Sequence, residues 1–142
     1  MPRWRKPRGS PLAKPCAVLV VEDEPLIREV FESVLTGEGC AVSMASDGAS
    51  MRRACASGRF DVVVLDIALP GKESGLELAH EAAAAGCGVI LITGHHGHYD
   101  AVARSGYRYL FKPFRVEALV QTVHELLEAA NASCTMKGRR AP

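Results

Sequence analysis

Five residues hold most of the chemistry available to this chain: Glu22 and Asp23 side by side, a lone Asp66, Thr93 and Lys112. Three carboxylates drawn together repel one another, which raises a pKa or recruits a cation. A hard divalent ion such as Mg²⁺ takes all-oxygen ligands and keeps several waters, so Asp23 and Asp66 as direct ligands, with Glu22 acting through water, is a natural arrangement. With one carboxylate oxygen on the metal and the other free, Asp66 can attack phosphorus to form an aspartyl phosphate. Lys112 can neutralise a phosphoryl oxygen as a point charge, and the Thr93 hydroxyl can donate to another. Lys112-Pro113 is an X-Pro bond, the kind whose cis form costs little.

These residues form a site only if the fold brings them together. Three short runs, Ala17 to Val21, Asp61 to Asp66 and Gly88 to Thr93, are β-rich and apolar on both faces, as strands of a covered parallel sheet are. Cys40 to Ala45 reads as a weaker, outer strand and Tyr107 to Lys112 as the last one. Between them lie helical patterns. Pro25 to Thr36 sets Leu26, Ile27, Val30, Phe31, Val34 and Leu35 on one stripe ending at Gly37. Asp47 caps a second helix that stops at Gly58. Gly75 to Ala85 and Val116 to Ala129 supply two more.

Strand–helix alternation repeated about five times predicts an α/β fold, a doubly wound five-stranded parallel sheet with helices on both faces. Ligands bind such sheets beyond the carboxyl ends of the strands. The predicted strands end at Glu22-Asp23, Asp66, Thr93 and Lys112, so acids, hydroxyl and ammonium are expected at one edge.

At these residues the chain resembles the receiver domain of bacterial two-component response regulators, a CheY-like fold. The resemblance covers Ala17 to about Ala130 and rests on four segments in order: Val20-Val-Glu-Asp-Glu-Pro25, Val64-Leu-Asp-Ile-Ala-Leu-Pro-Gly71, Leu91-Ile-Thr-Gly94 and Tyr109-Leu-Phe-Lys-Pro-Phe114. It implies that Asp66 is the phosphoacceptor and that Glu22 and Asp23 form the metal pocket, with the Ala68 carbonyl completing the shell. Thr93 and Lys112 would contact the phosphoryl group, and Tyr109 would be the aromatic that turns inward as Thr93 moves. The implied cofactor is Mg²⁺. The implied phosphodonor is a histidine kinase or a His-containing phosphotransfer protein, and the receiver would be a monomer or weak homodimer in the cytoplasm. Ala68 offers no polar side chain to attacking water, and His95 is the group nearest that water. From Thr93 to Lys112 the chain is shorter than the family's usual spacing by about one helical turn, so the fourth helix, from roughly Asp100 to Ser105, is expected to be short or irregular.

Composition agrees with a single domain. The 142 residues carry 17 basic and 16 acidic groups, a net charge of +1. Residues 1–16 and 131–142 are basic and contain no acid, so they read as flexible tails around an acidic receiver at 17–130. No run approaches the roughly 20 apolar residues of a membrane span. No secretory h-region follows the basic start, and no helix-turn-helix for DNA follows residue 130. Five scattered cysteines fit neither a disulfide framework nor a zinc site.

Blander readings exist for each residue taken alone. Asp23 and Asp66 could be solvated strand ends, Thr93 a β-branched strand residue, Lys112 a snorkelling lysine and Tyr109 a half-buried core aromatic. His95, His96 and His98 read as an exposed Gly-rich loop, Asp100 as the cap of the next helix, and His80 and His124 as solvated. Convergence favours a stand-alone response regulator that signals through a phosphorylation-dependent protein surface. The alternatives are a phosphorylation-independent scaffold of the same fold and a metal-dependent phosphohydrolase. The latter lacks a general acid close after Asp66, where Ile67 and Ala68 stand.

Overall fold

The structure, a computed structural model, describes residues 16–69 and 74–139, with side chains described to residue 130. The expected N-terminal tail, apart from Cys16, and the loop after Leu69 lie outside the described residues. Strands β1 (Ala17–Val21), β2 (Ala41–Ala45), β3 (Val62–Asp66), β4 (Gly88–Thr93) and β5 (Arg108–Phe111) form one parallel sheet in the order β2-β1-β3-β4-β5. Helices α1 (Pro25–Gly37), α2 (Gly48–Ser57), α3 (Gly75–Ala84), α4 (Tyr99–Arg104) and α5 (Val116–Arg139) connect and cover it.

Side chains alternate across each strand, and because both faces are covered both sets are apolar. Val18, Val20, Val64 and Ile92 pack with Phe31 and Leu35 of α1 and Leu119 and Val123 of α5. Leu19, Leu65 and Leu91 face Met51 of α2, Leu78 of α3 and Val102 of α4. β2 lies at one edge, as its weak pattern predicts, and β5 at the other.

Four details depart from the expected elements. The α1 stripe is too wide: Leu26 is 75% exposed and Val30 48%, while Ile27, Phe31, Val34 and Leu35 pack inward. Six apolar positions spread over about half the circumference exceed the arc that one sheet face covers. Asp100 does not cap α4; His98 holds that position, without a side-chain hydrogen bond, and Asp100 sits in the first turn. β5 starts one residue later and ends one earlier than the pattern indicates. α5 runs to Arg139, past the expected stop at Ala129 and through the boundary placed at residue 130, since no proline or glycine interrupts it before Gly138.

The expected shortness of the fourth helix is present. α4 has six residues and follows a 3₁₀ turn over His96–His98. Asp47 caps α2 as expected, accepting from the Ser50 N–H at 2.7 Å.

Candidate functional site

Sheet register assembles the site. Val21 pairs with Leu65, so the next residues, Glu22 and Asp66, stand side by side at the carboxyl edge. Thr93 pairs with Phe111, which sets Lys112 one step beyond, where its backbone N–H donates to the Thr93 carbonyl at 2.8 Å. The Lys112–Pro113 peptide is cis. The stem of Lys112 runs along Gly94, where an added Cβ would meet the lysine Cβ at 3.3 Å.

The Lys112 ammonium reaches back into the acids. Its Nζ donates to Asp66 Oδ2 at 2.8 Å and to Glu22 Oε2 at 3.5 Å. The other Asp66 oxygen accepts from the Ala68 N–H at 2.8 Å, and Glu22 Oε1 accepts from the Glu24 N–H at 3.3 Å. Glu22, Asp23 and Asp66 each place a carboxylate oxygen within 4.8 Å of the others, with Glu22 and Asp66 buried and Asp23 exposed. An all-oxygen set of this size, open on the Asp23 side, fits a hard divalent cation.

Burial pushes the Glu22 carboxyl up to about 8, helped by its hydrogen bond to Asp66 and by the charge of that neighbour; Lys112 only partly offsets this. Burial acts upward on Asp66 as well, but hydrogen bonds from Glu22, Lys112 and the Ala68 N–H outweigh it and hold Asp66 below the ordinary carboxyl value. Burial acts downward on Lys112, and the two carboxylates overcome it and raise the ammonium. The two carboxyls are thus pushed in opposite directions, Glu22 toward the protonated form and Asp66 toward the ionised one. A carboxylate favoured in its ionised form and oriented by such donors is a competent nucleophile.

Thr93 is fully buried, and its Oγ1 accepts from the His95 N–H at 3.2 Å. Tyr109 belongs to neither core cluster; it is 40% exposed, with its ring 5.1 Å from that of Phe111. The core-aromatic reading of Tyr109 is thereby corrected. Ala68 and His95 are exposed near the site, and His95 Nδ1 accepts from the Gly97 N–H. His96 is exposed and His98 half-buried, and among the described residues the histidines belong to no cluster with metal-ligand spacing.

Two histidines expected to be merely solvated have partners. His80 Nδ1 lies 2.6 Å from the Tyr107 hydroxyl, and His124 Nε2 lies 3.5 Å from Glu38. The sequence reading also passed over Arg28. Its Nη1 donates to the Glu22 carbonyl at 2.8 Å and reaches the Asp23 carbonyl at 3.4 Å. A single arginine on an amphipathic helix carries no signal that separates it from a solvated face. The four cysteines with described side chains are free thiols, and no helix among the described residues is long and apolar enough to cross a membrane.

Comparison with known proteins adds three findings. The sequence profile of the response regulator receiver domain matches residues 18–124. The probable transcriptional regulatory protein TcrX of Mycobacterium tuberculosis is 35% identical over 130 residues, 88% of this chain and 55% of that protein. The TorCAD operon transcriptional regulatory protein TorR of Escherichia coli (strain K12) is 33% identical over 117 residues, 80% of this chain and 50% of that protein. The chain thus spans about half the length of the curated relatives it matches. Among solved structures, response regulator TrrA of Thermotoga maritima in complex with Mg²⁺-BeF is 34% identical with a TM-score of 0.69, covering 78% of this chain and 98% of that one. The receiver domain of the TorR regulator is 34% identical with a TM-score of 0.73, covering 81% and 98%.

Proposed function

Because the chain belongs to the response regulator receiver domain family, we propose that Asp66 accepts a phosphoryl group from a histidine kinase or a His-containing phosphotransfer protein in a Mg²⁺-dependent reaction. The observation that supports this most directly is the Asp66 carboxylate, held by Lys112 at 2.8 Å inside a set of three acids. An oxygen of Asp66 forms the bond to phosphorus as the phosphorus–nitrogen bond to the donor imidazole breaks, and the electron pair of that bond stays on the leaving nitrogen. When bound among Glu22, Asp23, Asp66 and the Ala68 carbonyl, Mg²⁺ supplies positive charge that offsets the repulsion between the acids and the incoming phosphoryl oxygens. Lys112, now paired with Asp66, shifts to a phosphoryl oxygen, and the Thr93 hydroxyl leaves the His95 N–H to donate to another.

That movement of Thr93 opens space beside β4, and Tyr109, exposed on the adjacent strand, turns inward to take it. The surface over β5 and α4 then differs between the two states and serves as the protein-interaction signal. Receiver domains interact with histidine kinases, and this reading puts the unit in the cytoplasm, acting as a monomer or weak homodimer. The six-residue α4 keeps a second reading in play, a scaffold of the same fold that works without phosphorylation.

Intact-mass analysis after incubation with Mg²⁺ and acetyl phosphate separates the two. The expected result is one phosphoryl adduct in the wild type and none in Asp66→Asn, with both chains folded. An adduct in the Asn variant at the wild-type site and rate would remove Asp66 from the role. If neither acetyl phosphate nor a phosphorylated histidine donor leaves an adduct on Mg²⁺-bound protein, the scaffold reading takes its place.

A further inference from the structure

Of the three clustered acids, Asp23 is the exposed one, and among the described residues no hydrogen bond or ion pair reaches its carboxylate. Its direction is therefore set by its backbone. The two peptides that flank its Cα are both held. The carbonyl of the Glu22–Asp23 peptide accepts from Arg28 Nη1 at 2.8 Å, and that of the Asp23–Glu24 peptide faces the same nitrogen at 3.4 Å. The N–H of the second peptide donates to Glu22 Oε1 at 3.3 Å. One guanidinium nitrogen and one buried carboxylate thus hold the turn on which Asp23 stands.

The local sequence explains why an arginine does this work. α1 begins with Pro25, and its N-cap, Glu24, makes no side-chain cap hydrogen bond, so the usual device for fixing the entry of a helix is missing. Arg28 lies in the first turn, where its own N–H closes the first helical bond to the Glu24 carbonyl at 3.0 Å. From there the long side chain folds back past the helix start to the two carbonyls that precede it. Its plane and reach suit a bridge between neighbouring carbonyls.

We infer that Arg28 is a positioning residue for the metal pocket: by bridging the Glu22 and Asp23 carbonyls it preorganises the Asp23 carboxylate for a divalent cation. The inference rests on the proposed function, since it gives Arg28 a part in the same pocket. Groups that orient a metal ligand without touching the metal are typically worth about 10–100-fold in affinity. A purely electrostatic part predicts the opposite sign, because removing a positive charge beside three acids strengthens cation binding.

The test titrates MgCl₂ into the full chain by calorimetry, for the wild type, Arg28→Lys and Arg28→Met, with thermal melts alongside. Lysine keeps the charge but its stem is one atom shorter; methionine loses both charge and bridge. We expect both variants to melt near the wild type and to bind Mg²⁺ about 10-fold more weakly. Their rate of adduct formation from acetyl phosphate should recover toward the wild-type rate at saturating Mg²⁺, which separates a defect in the pocket from one in the nucleophile. Unchanged affinity in a folded Arg28→Lys overturns the inference, as does tighter binding in Arg28→Met. Should Arg28→Met unfold, Arg28→Lys decides. A wild type that binds no Mg²⁺ and gains no adduct overturns the proposed function and this inference with it, whereas a wild type that does both leaves any failure with Arg28 alone.

Discussion

The two halves of the carboxyl edge are built differently. On the β1–β3 side, Glu22 and Asp66 are buried, their carboxylates are held by backbone N–H groups, by Lys112 and by each other, and Arg28 holds the turn that carries Asp23. On the β4–β5 side a 3₁₀ turn of His96–His98 leads into the six-residue α4, which buries only Val102. Above it Tyr99 stacks on Phe111 at 4.0 Å and Tyr109 stands exposed. Chemistry that needs fixed distances sits where the strands impose them, while a six-residue helix with one buried residue is more readily changed in shape. The signalling proposed above needs both, and their separation is open to experiment.

The largest expected effect concerns the proton on the β1–β3 side. Glu22 titrates near 8 in the folded metal-free chain, against an ordinary value of 4.5 when unfolded. The folded state therefore binds that proton more tightly, and the stability it contributes is complete below about 4.5 and lost as pH rises through 8. Across this window Asp66, held below its ordinary value, is ionised in both states, and Lys112, raised above its own, is charged in both, so neither adds a slope. In EDTA the melting temperature should fall between pH 5 and 8, at roughly 3–5 °C for each kcal/mol lost in a chain of this size. Saturating Mg²⁺ should flatten that fall, because the cation replaces the proton among the acids. A flat profile in EDTA would mean that Glu22 is not the proton holder.

A smaller effect tests how rigid the same side is. Gly75 opens α3, and a Cβ there would lie 2.6 Å from the Ile67 Cα, one residue beyond Asp66. The obstacle is backbone, which cannot rotate away. Gly75→Ala should cost about 1–3 kcal/mol in chemical denaturation, and, by displacing Ile67, it should also slow adduct formation at Asp66. Loss of stability with the wild-type rate would show that the nucleophile tolerates movement of the strand end, and would weaken the contrast drawn between the two halves.

How much of this was legible in the sequence follows the same division. Strands apolar on both faces declare a parallel sheet, and the acids and lysine stand at the carboxyl ends of its strand-like runs, so the sequence itself brings Glu22, Asp66 and Lys112 together. Leu26 and Val30 could not be seen to face outward, because periodicity gives the direction of a stripe and not the width that a neighbour covers. The end of α5 was missed because the pattern marks where apolar burial stops, and a helix without a breaker continues beyond it. Arg28 was missed because its partners are main-chain carbonyls, which leave no trace in residue types.

The smallest expected effect lies on the β4–β5 side and bears most directly on the contrast. The Tyr99–Phe111 stack joins the start of α4 to the last residue of β5, and aromatic pairs contribute about 0.5–1.5 kcal/mol beyond area burial. Tyr99→Ala should therefore lower stability by an amount of that order, read by denaturation, and should leave both Mg²⁺ affinity and the rate of adduct formation at Asp66 close to the wild type. Its consequence should appear instead in amide exchange, as faster opening of the α4 amides with those of β3 unchanged. If Tyr99→Ala weakens Mg²⁺ binding as much as an Arg28 variant does, the two halves are one cooperative unit. The division into a fixed chemical side and a loose signalling side then fails, and the force that drives the Tyr109 face would have to be sought in the pocket itself.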